Sequence, residues 1–578
     1  MTGFSDPNHS ENIGVDMRRG VKISLRDGIR LDATLYLPER HCKPSPAIFT
    51  LTPYVGQTYH GYAEYFAAHG YPFLTVDVRG RGDSEGTFKP YVNEAADGHD
   101  VVEWVARQPW CNGQVAMWGG SYAGLDQWST AREFPSHLAT IVPVASPYMG
   151  VDVPMRNNIA SPYLMQWLTL VTGRASQDQI FADQRWWNRR FRRWFESGAA
   201  FQELDSQVGM PSIIFQEWLS HPQQDTYWDS YNPTAEHYAR ISIPILTITG
   251  IYDGDQPGAL KHYREHRRHA SAEASARHFL VIGPWDHAGT RHPQSEFGGL
   301  RFGPASLVDL RRLHLEWYAW TMQGGPTPEF LQKSVAYYVT GAEKWRYADS
   351  LEEITSEVSS LFLASVTNPV DVFTSGYLLL EGPSGTGGPD HYVYDPCDVS
   401  LAELESQVDP ETFSDQRLIC GTVGGRLIYH SVPFPRAVEI GGFFKLSVWL
   451  SIDQPDTDFV ASVYEIDING ASTLLTNDWI RARYRDSLRE EKLIQTSEPL
   501  HYVFDRFMFV ARRLDRGSRL RLVIGPNDTI HSQRNFNSGG AVSAESARDA
   551  RAVSVKLFHD VSHPSVLYVP IGQPEGPM

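Results

Sequence analysis

The stretch Val115-Ala-Met-Trp-Gly-Gly-Ser-Tyr-Ala-Gly124 has the pattern of a buried strand that ends on paired glycines, presents Ser121, and passes into a helix-like run reaching Ala131. A serine at a sharp strand-to-helix turn exposes its hydroxyl in a strained backbone, and the residues two positions away must be small so that strand and helix can approach. Gly119 and Ala123 meet that requirement. The strict pattern has glycine where Ala123 stands, but the physical need is smallness, so the departure is tolerable. Ser121 is the candidate nucleophile.

A serine hydroxyl attacks a carbonyl only when a base takes its proton, and imidazole does this best when a carboxylate fixes its tautomer. Behind an elbow of this kind the acid and then the histidine follow the serine in chain order. Two later apolar runs supply both: residues 245–249 lead into Gly250-Ile-Tyr-Asp-Gly-Asp255, and residues 278–282 lead into Gly283-Pro-Trp-Asp-His287. Asp253 and His287 are thereby expected at the carboxyl edge of the sheet, with Asp255, Asp286 and His292 as rivals. The backbone N–H of Tyr122 is the expected first donor to an oxyanion. A second donor belongs on the loop Thr52-Pro-Tyr-Val-Gly56, which has no His-Gly-Gly motif; Tyr54 there reads as a phenolic donor or as a packing residue.

The elements that would position these groups come from periodicity. Runs at 47–52, 73–78, 115–118 and 141–145 read as buried strands, and residues 98–107 carry apolar positions at helical spacing. Such alternation predicts a mostly parallel sheet covered by helices. The alternation stops near Pro147 and resumes at Ile243. The segment between is helical in pattern and dense in aromatic residues, including Trp167, Trp186, Trp187, Trp194, Trp218 and Trp228. A helical insertion between two halves of such a sheet is expected to cap the strand ends. Most of these rings read as cap core and a minority, Trp167 among them, as pocket wall. A last helix is expected over 306–322. Beyond about residue 350 short β-type runs, such as 443–452, 459–468 and 520–524, predict an all-β sandwich or jelly roll. The expected fold is α/β: an α/β-hydrolase domain (1–146 plus 241–350), an inserted helical cap (147–240) and a C-terminal jelly-roll β domain (351–578).

Composition sets the outer bounds. The chain has 578 residues, too many for one core, and a formal charge of −17, which weighs against a nucleic-acid partner because phosphate binding needs clustered cations. Its start lacks a basic segment followed by an apolar run, and no stretch is apolar enough to span a bilayer, so residence in the cytoplasm without membrane attachment is expected. Cys42, Cys111, Cys397 and Cys420 lack the paired spacing of a zinc site and read as free thiols. A small-molecule ester or amide is the expected partner, and a homo-oligomer is compatible with all of this.

Taken in combination, several motifs resemble the cocaine-esterase and X-prolyl dipeptidyl-peptidase family, which includes the α-amino acid ester hydrolases. They are Arg26-Asp-Gly-Ile-Arg-Leu-Asp32, Thr52-Pro-Tyr54, Asp77-Val-Arg-Gly-Arg-Gly-Asp-Ser-Glu-Gly86, Trp110-Cys-Asn-Gly113, Gly119-Gly-Ser-Tyr-Ala-Gly124, Tyr252-Asp253 and Gly283-Pro-Trp-Asp-His287. The likeness continues through Tyr394-Asp-Pro396, Tyr429-His-Ser431, Asp456-Thr-Asp-Phe459, Arg481-Ala-Arg-Tyr-Arg485 and Asn535-Phe-Asn-Ser-Gly-Gly540, and so covers nearly the whole chain. The resemblance implies the same three-part architecture, no cofactor and no metal, a triad of Ser121, Asp253 and His287, and Tyr54 as an oxyanion donor. The Asp77–Asp83 loop looks structural, braced by arginine–carboxylate pairs. The α-amino acid ester hydrolases also hold a substrate ammonium with a carboxylate cluster. Here Asp255 matches one member, Gln256 does not match the next, and no third acid is evident, so a free-amine requirement is not expected.

The leading expectation is hydrolysis of a small carboxylic ester through an acyl-enzyme. Alternatives are amide hydrolysis including X-Pro dipeptide release, acyl transfer to an alcohol or amine, and an inactive hydrolase fold that only binds.

Overall fold

The computed structural model describes residues 14–39, 43–409, 411–420 and 424–573, the side chain of residue 420 excepted. Cys42 lies outside these residues, as does the side chain of Cys420. Cys111 is a buried free thiol and Cys397 an exposed one.

Ten strands make the first sheet. In chain order they are β1 (Val15–Ser24), β2 (Arg30–Pro38), β3 (Ser45–Thr52), β4 (Phe73–Asp77), β5 (Cys111–Gly120), β6 (Leu138–Val144), β7 (Ile245–Gly250), β8 (His278–Gly283), β9 (Val335–Val339) and β10 (Lys344–Ala348). They lie side by side as β1-β2-β4-β3-β5-β6-β7-β8-β9-β10. From β4 through β9 the pairing is parallel. Antiparallel strands close both edges. The central runs are apolar without alternation because helices cover both faces; every residue of β4 and β7 is buried. Covering helices include α1 (His60–Ala68), α2 (Glu94–Ala106) and α3 (Tyr122–Ala131).

Between β6 and β7 the chain forms a mainly helical layer with α4 (Tyr163–Leu170) and α5 (Gln184–Ser197). Trp187, Trp194, Trp218 and Trp228 are buried in it. One short hairpin, Met155–Arg156 paired with Ile159–Ala160, departs from the helical pattern. Its turn residues Asn157 and Asn158 both have positive φ. The Asn157 amide donates to Asp478 Oδ1 and the Trp479 carbonyl, and the Asn158 amide to the Leu488 carbonyl. The turn is therefore held by a part of the chain more than three hundred residues away, which no local pattern could reveal.

The longer helices that follow are α6 (Gln256–His269), between β7 and β8, and α7 (Leu310–Gln323), between β8 and β9. The last helix, expected from residue 306, begins at Leu310, and Ser306 ends a separate 3-10 turn ahead of it.

From Thr355 onward the described chain is mainly β, its strands joined in one 13-stranded hydrogen-bonded sheet with mostly antiparallel pairing, and the expected runs appear as Lys445–Ile452, Asp458–Ile466 and Arg519–Pro526. The motif residues of this region form a buried ionic network. Arg481 is bidentate to Asp458 at 2.8 and 3.0 Å, and Arg483 pairs with Asp456 at 2.8 Å. The Asn535 amide donates to both aspartates, and Arg481 also donates to the carbonyl of Asn158. Burying these charges is tolerable because each is paired and its remaining valences are satisfied.

Candidate active site

Ser121 sits between β5 and α3 with φ 61° and ψ −124°. A β-substituted residue in that region carries strain of about 1–3 kcal/mol, which persists only where the surroundings enforce it. They do so here: Ser121 N–H donates to the Val144 carbonyl, and its own carbonyl accepts from Gly124 and Leu125. A Cβ on Gly119 would stand 2.6 Å from the Ala123 Cβ, so glycine at 119 and a small residue at 123 are one packing requirement. A Cβ on Gly120 would stand 2.3 Å from Arg291 Nη1. The second glycine thus makes room for an arginine that sequence reasoning did not single out.

His287 lies on the loop after β8 and Asp253 on the loop after β7. His287 Nδ1 meets Asp253 Oδ1 at 2.8 Å. Asp253 is fully buried; its Oδ2 accepts from the Thr249 hydroxyl at 2.9 Å and its Oδ1 also from the Asp255 N–H at 3.0 Å. Burial pushes the Asp253 pKa up, but the charge and hydrogen bond of His287 outweigh it and hold the carboxyl below its usual range. Burial pulls His287 down, and Asp253 and Asp255 outweigh it, so the imidazole stands above its ordinary value. Among the described residues no hydrogen bond joins the Ser121 hydroxyl to His287; such bonds are often long in unliganded sites and tighten around substrate.

The rivals occupy other places. Asp255 Oδ2 is 3.7 Å from His287 Nδ1, and its side chain is 16% exposed. Asp286 accepts from the Gly289 N–H and closes a turn. His292 rests on the Tyr62 hydroxyl at 3.4 Å.

Tyr54, on the loop after β3, has its phenol beside the Ser121 side chain. Burial pushes that phenol up to about 12, so it stays protonated at neutral pH. The Tyr122 N–H opens α3, where the first turn has no intrahelical acceptor for it. Trp167, expected on the pocket wall, is 8% exposed and donates its indole N–H to the Tyr54 hydroxyl at 3.2 Å. The Asp77–Asp83 loop braces this region in a mixed way. Arg79 pairs with Asp97 and Asp27, as arginine–carboxylate pairing requires. Arg81 instead donates to the carbonyls of Pro53, Val171 and Gly173.

Two further neighbours gain their partners only in the fold: Asp152, which the sequence did not single out, and Gln256, which it read only as a missing acid. Asp152 faces Asp255 electrostatically; burial, with the Asp253 charge adding, pushes Asp152 up to about 8. Its oxygens accept from the N–H groups of Tyr148 and Gly258 at 2.8 and 2.6 Å. Gln256, fully buried, accepts from the Phe509 N–H at 2.7 Å and donates to the carbonyls of Gly250, Ile251 and Phe509. It ties the Asp253 loop to the β unit. Both links span long stretches of chain and carry no local signal. Asp253, Asp255 and His287 also present donor atoms within 4.8 Å of one another, a set with the spacing to hold a cation, although Nδ1 of the imidazole is engaged by Asp253.

Comparison with known proteins agrees with this architecture. Residues 27–289 match the model of the X-Pro dipeptidyl-peptidase (S15) family, and residues 331–554 match that of the X-Pro dipeptidyl-peptidase C-terminal non-catalytic domain. A cocaine esterase of Rhodococcus sp. (strain MB1 Bresler) is 25% identical over 95% of this chain and 98% of its own. A putative serine esterase of Mycobacterium bovis is 23% identical over 80% of each. The fold is shared with an α-amino acid ester hydrolase (TM-score 0.82, 19% identity, covering 99% of this chain and 98% of that one) and with an aminopeptidase from a marine-sediment archaeon (TM-score 0.82, 19% identity, 99% of each). Fold and matches together define a hydrolase of the α/β class with a C-terminal β domain. The chain belongs to the cocaine-esterase and X-prolyl dipeptidyl-peptidase-like family. Among the described residues no helix is long and apolar enough to cross a membrane.

Proposed function

We propose that the chain is a serine hydrolase that cleaves small carboxylic esters through an acyl-enzyme on Ser121. The observation that carries the reading is the 2.8 Å contact of His287 Nδ1 with buried Asp253, set at the same sheet edge as a serine in a strained elbow. In the first step Ser121 Oγ bonds to the ester carbonyl carbon while its proton passes to His287 Nε2. The Tyr122 N–H and the Tyr54 hydroxyl receive the oxyanion. The carbon–oxygen bond to the alcohol then breaks, and the alcohol leaves with the proton from His287. A water, deprotonated by His287, attacks the acyl carbon; collapse releases the carboxylic acid and restores Ser121. The carboxylate of Asp253 stabilises the imidazolium in both halves and is not itself protonated. The catalytic, cap and β units expected from the sequence are part of the same proposal.

Two measurements test it. Ser121→Ala should abolish hydrolysis and fluorophosphonate labelling with an unchanged melting curve; activity within tenfold of the parent would mean another nucleophile. A parallel screen of p-nitrophenyl esters and X-Pro-anilides, with an alcohol or amine acceptor in some wells, decides among ester, peptide and transfer chemistry. Ester turnover should exceed anilide turnover, and dominance of X-Pro release or of a transfer product would replace the ester reading.

A further inference from the structure

We propose that Trp167, contributed by the cap, is a positioning residue for both oxyanion donors, aiming the Tyr54 phenolic proton at the reacting oxygen and bracing the segment that carries the Tyr122 N–H. The inference rests on the reading of Ser121 as nucleophile.

An indole N–H is a donor and has no acceptor function, so the 3.2 Å contact to Tyr54 has one polarity: the phenol oxygen accepts. A hydroxyl that accepts from one side cannot point its proton there. That proton is left for another partner, and the Ser121 side chain lies beside the same phenol. Without the indole the hydroxyl could turn about its C–O bond, and part of the population would face away from the oxyanion.

The same ring also supports the second donor. Trp167 stacks on the Tyr122 ring at 6.0 Å and 15°. Trp167 also has Trp218 stacked against it at 6.2 Å and 21°. The Tyr122 ring is itself stacked on Tyr91 at 4.1 Å, and its hydroxyl is held by the Tyr91 N–H and Glu94. The Tyr122 ring and its hydroxyl are thus both held, with Trp167 as the member supplied by the cap.

A second tie joins the same two pieces of chain. The Arg81 guanidinium, 0% exposed, donates to the Pro53 carbonyl just before Tyr54 and to the Val171 and Gly173 carbonyls just after α4. Helix α4 and the Tyr54 loop are therefore fixed to each other independently of the indole. Removing the N–H should change where the phenol points without moving the loop.

The test is a double-mutant cycle on a p-nitrophenyl ester. Trp167→Phe keeps an aromatic ring and deletes the N–H; it should lower kcat about tenfold, the scale of one hydrogen bond, with KM and the pH limb of His287 unchanged. In a Tyr54→Phe background the same change should alter kcat by less than about twofold, because the group it positions is gone. Trp167→His retains a ring N–H on a smaller ring and should keep more kcat than the Phe variant; it also serves if the Phe variant is poorly folded. Equal losses in both backgrounds, or a rise in KM at constant kcat, would overturn the positioning role and return Trp167 to packing or substrate contact. Turnover surviving Ser121→Ala would instead remove the reading of the site. An additive cycle with Ser121 still essential removes only the role of Trp167.

Discussion

Asp253→Asn separates the proposed carboxylate from its neighbour and has an unusual expected form. The asparagine oxygen can take the place of Oδ1, where it still accepts from His287 Nδ1–H and from the Asp255 N–H, while the new amide group faces the Thr249 hydroxyl, which can accept. The histidine tautomer is then preserved and only the charge is lost. A unit charge about 4 Å from the imidazolium at an effective dielectric near 20 contributes about 4 kcal/mol as an upper bound, so kcat should fall by up to about 10³. The pH dependence gives the sharper readout. His287 must be neutral to accept a proton, and Asp253 is the larger of the two charges holding its pKa above the ordinary value. The rising limb of kcat/KM should therefore lie above about 6.5 in the parent and move to lower pH in the residual activity of the variant. Asp255→Asn, at 3.7 Å and partly solvated, should cost less than about tenfold and move the limb less. A larger loss from Asp255→Asn, or a limb that stays fixed or rises in Asp253→Asn, would refute the assignment.

Tyr54→Phe should lower kcat by about 10²–10³ with little change in KM, because the donor is used most as charge builds on the oxygen. It should also cost about 1–3 kcal/mol in a denaturant melt, since the buried Trp167 N–H loses its acceptor; a fully active variant would move the oxyanion hole to backbone donors alone. Gln256→Glu sets a carboxylate against the carbonyls of Gly250, Ile251 and Phe509 and should destabilise by about 3 kcal/mol or more at neutral pH. Burial would raise the folded pKa of that glutamate, so the penalty is present above its unfolded pKa and shrinks as the pH falls and the group protonates. An unchanged urea midpoint at pH 7 would show that the Gln256 link carries no load.

Sequence alone made legible the features whose signal is local. The buried strands were readable because helices on both faces leave them without alternation, as at Phe73–Asp77, and their ends moved by only a few residues. The elbow was readable because Gly119 and Ala123 share one steric constraint. Asp253 and His287 stood out because each follows such a strand directly, and the structure brings their side chains to 2.8 Å. The Asp77–Asp83 loop was half legible: Arg79 pairs with carboxylates, but Arg81 spends its donors on carbonyls that a residue pattern does not distinguish. The Asn157–Asn158 hairpin, the Trp167–Tyr54 contact and the Gln256–Phe509 link had no local signal. Each joins units far apart in the chain, and each is a hydrogen bond whose partner is set by tertiary packing.

The acidic neighbourhood of His287 bears on substrate choice. The sequence offered Asp255 as a single acid beside Gln256, and the structure brings Asp152 toward it. Proximity alone would suggest a pair able to hold a substrate ammonium, but Asp152 is engaged with the backbone on both oxygens. Each Asp152 oxygen accepts a backbone N–H, from Tyr148 at 2.8 Å and from Gly258 at 2.6 Å, and the latter fastens the first turn of α6 to the segment after β6. Burial pushes both acids up, Asp152 to about 8, and where Asp152 is ionised it raises Asp255 further. Asp255 is itself drawn to His287 at 3.7 Å, where its charge supports the imidazolium rather than a substrate ammonium. Gln256, whose amide is consumed by four backbone groups, adds no charge. On the proposed reading, therefore, a substrate gains little from a free amine here, and esters without one fall within reach of Ser121.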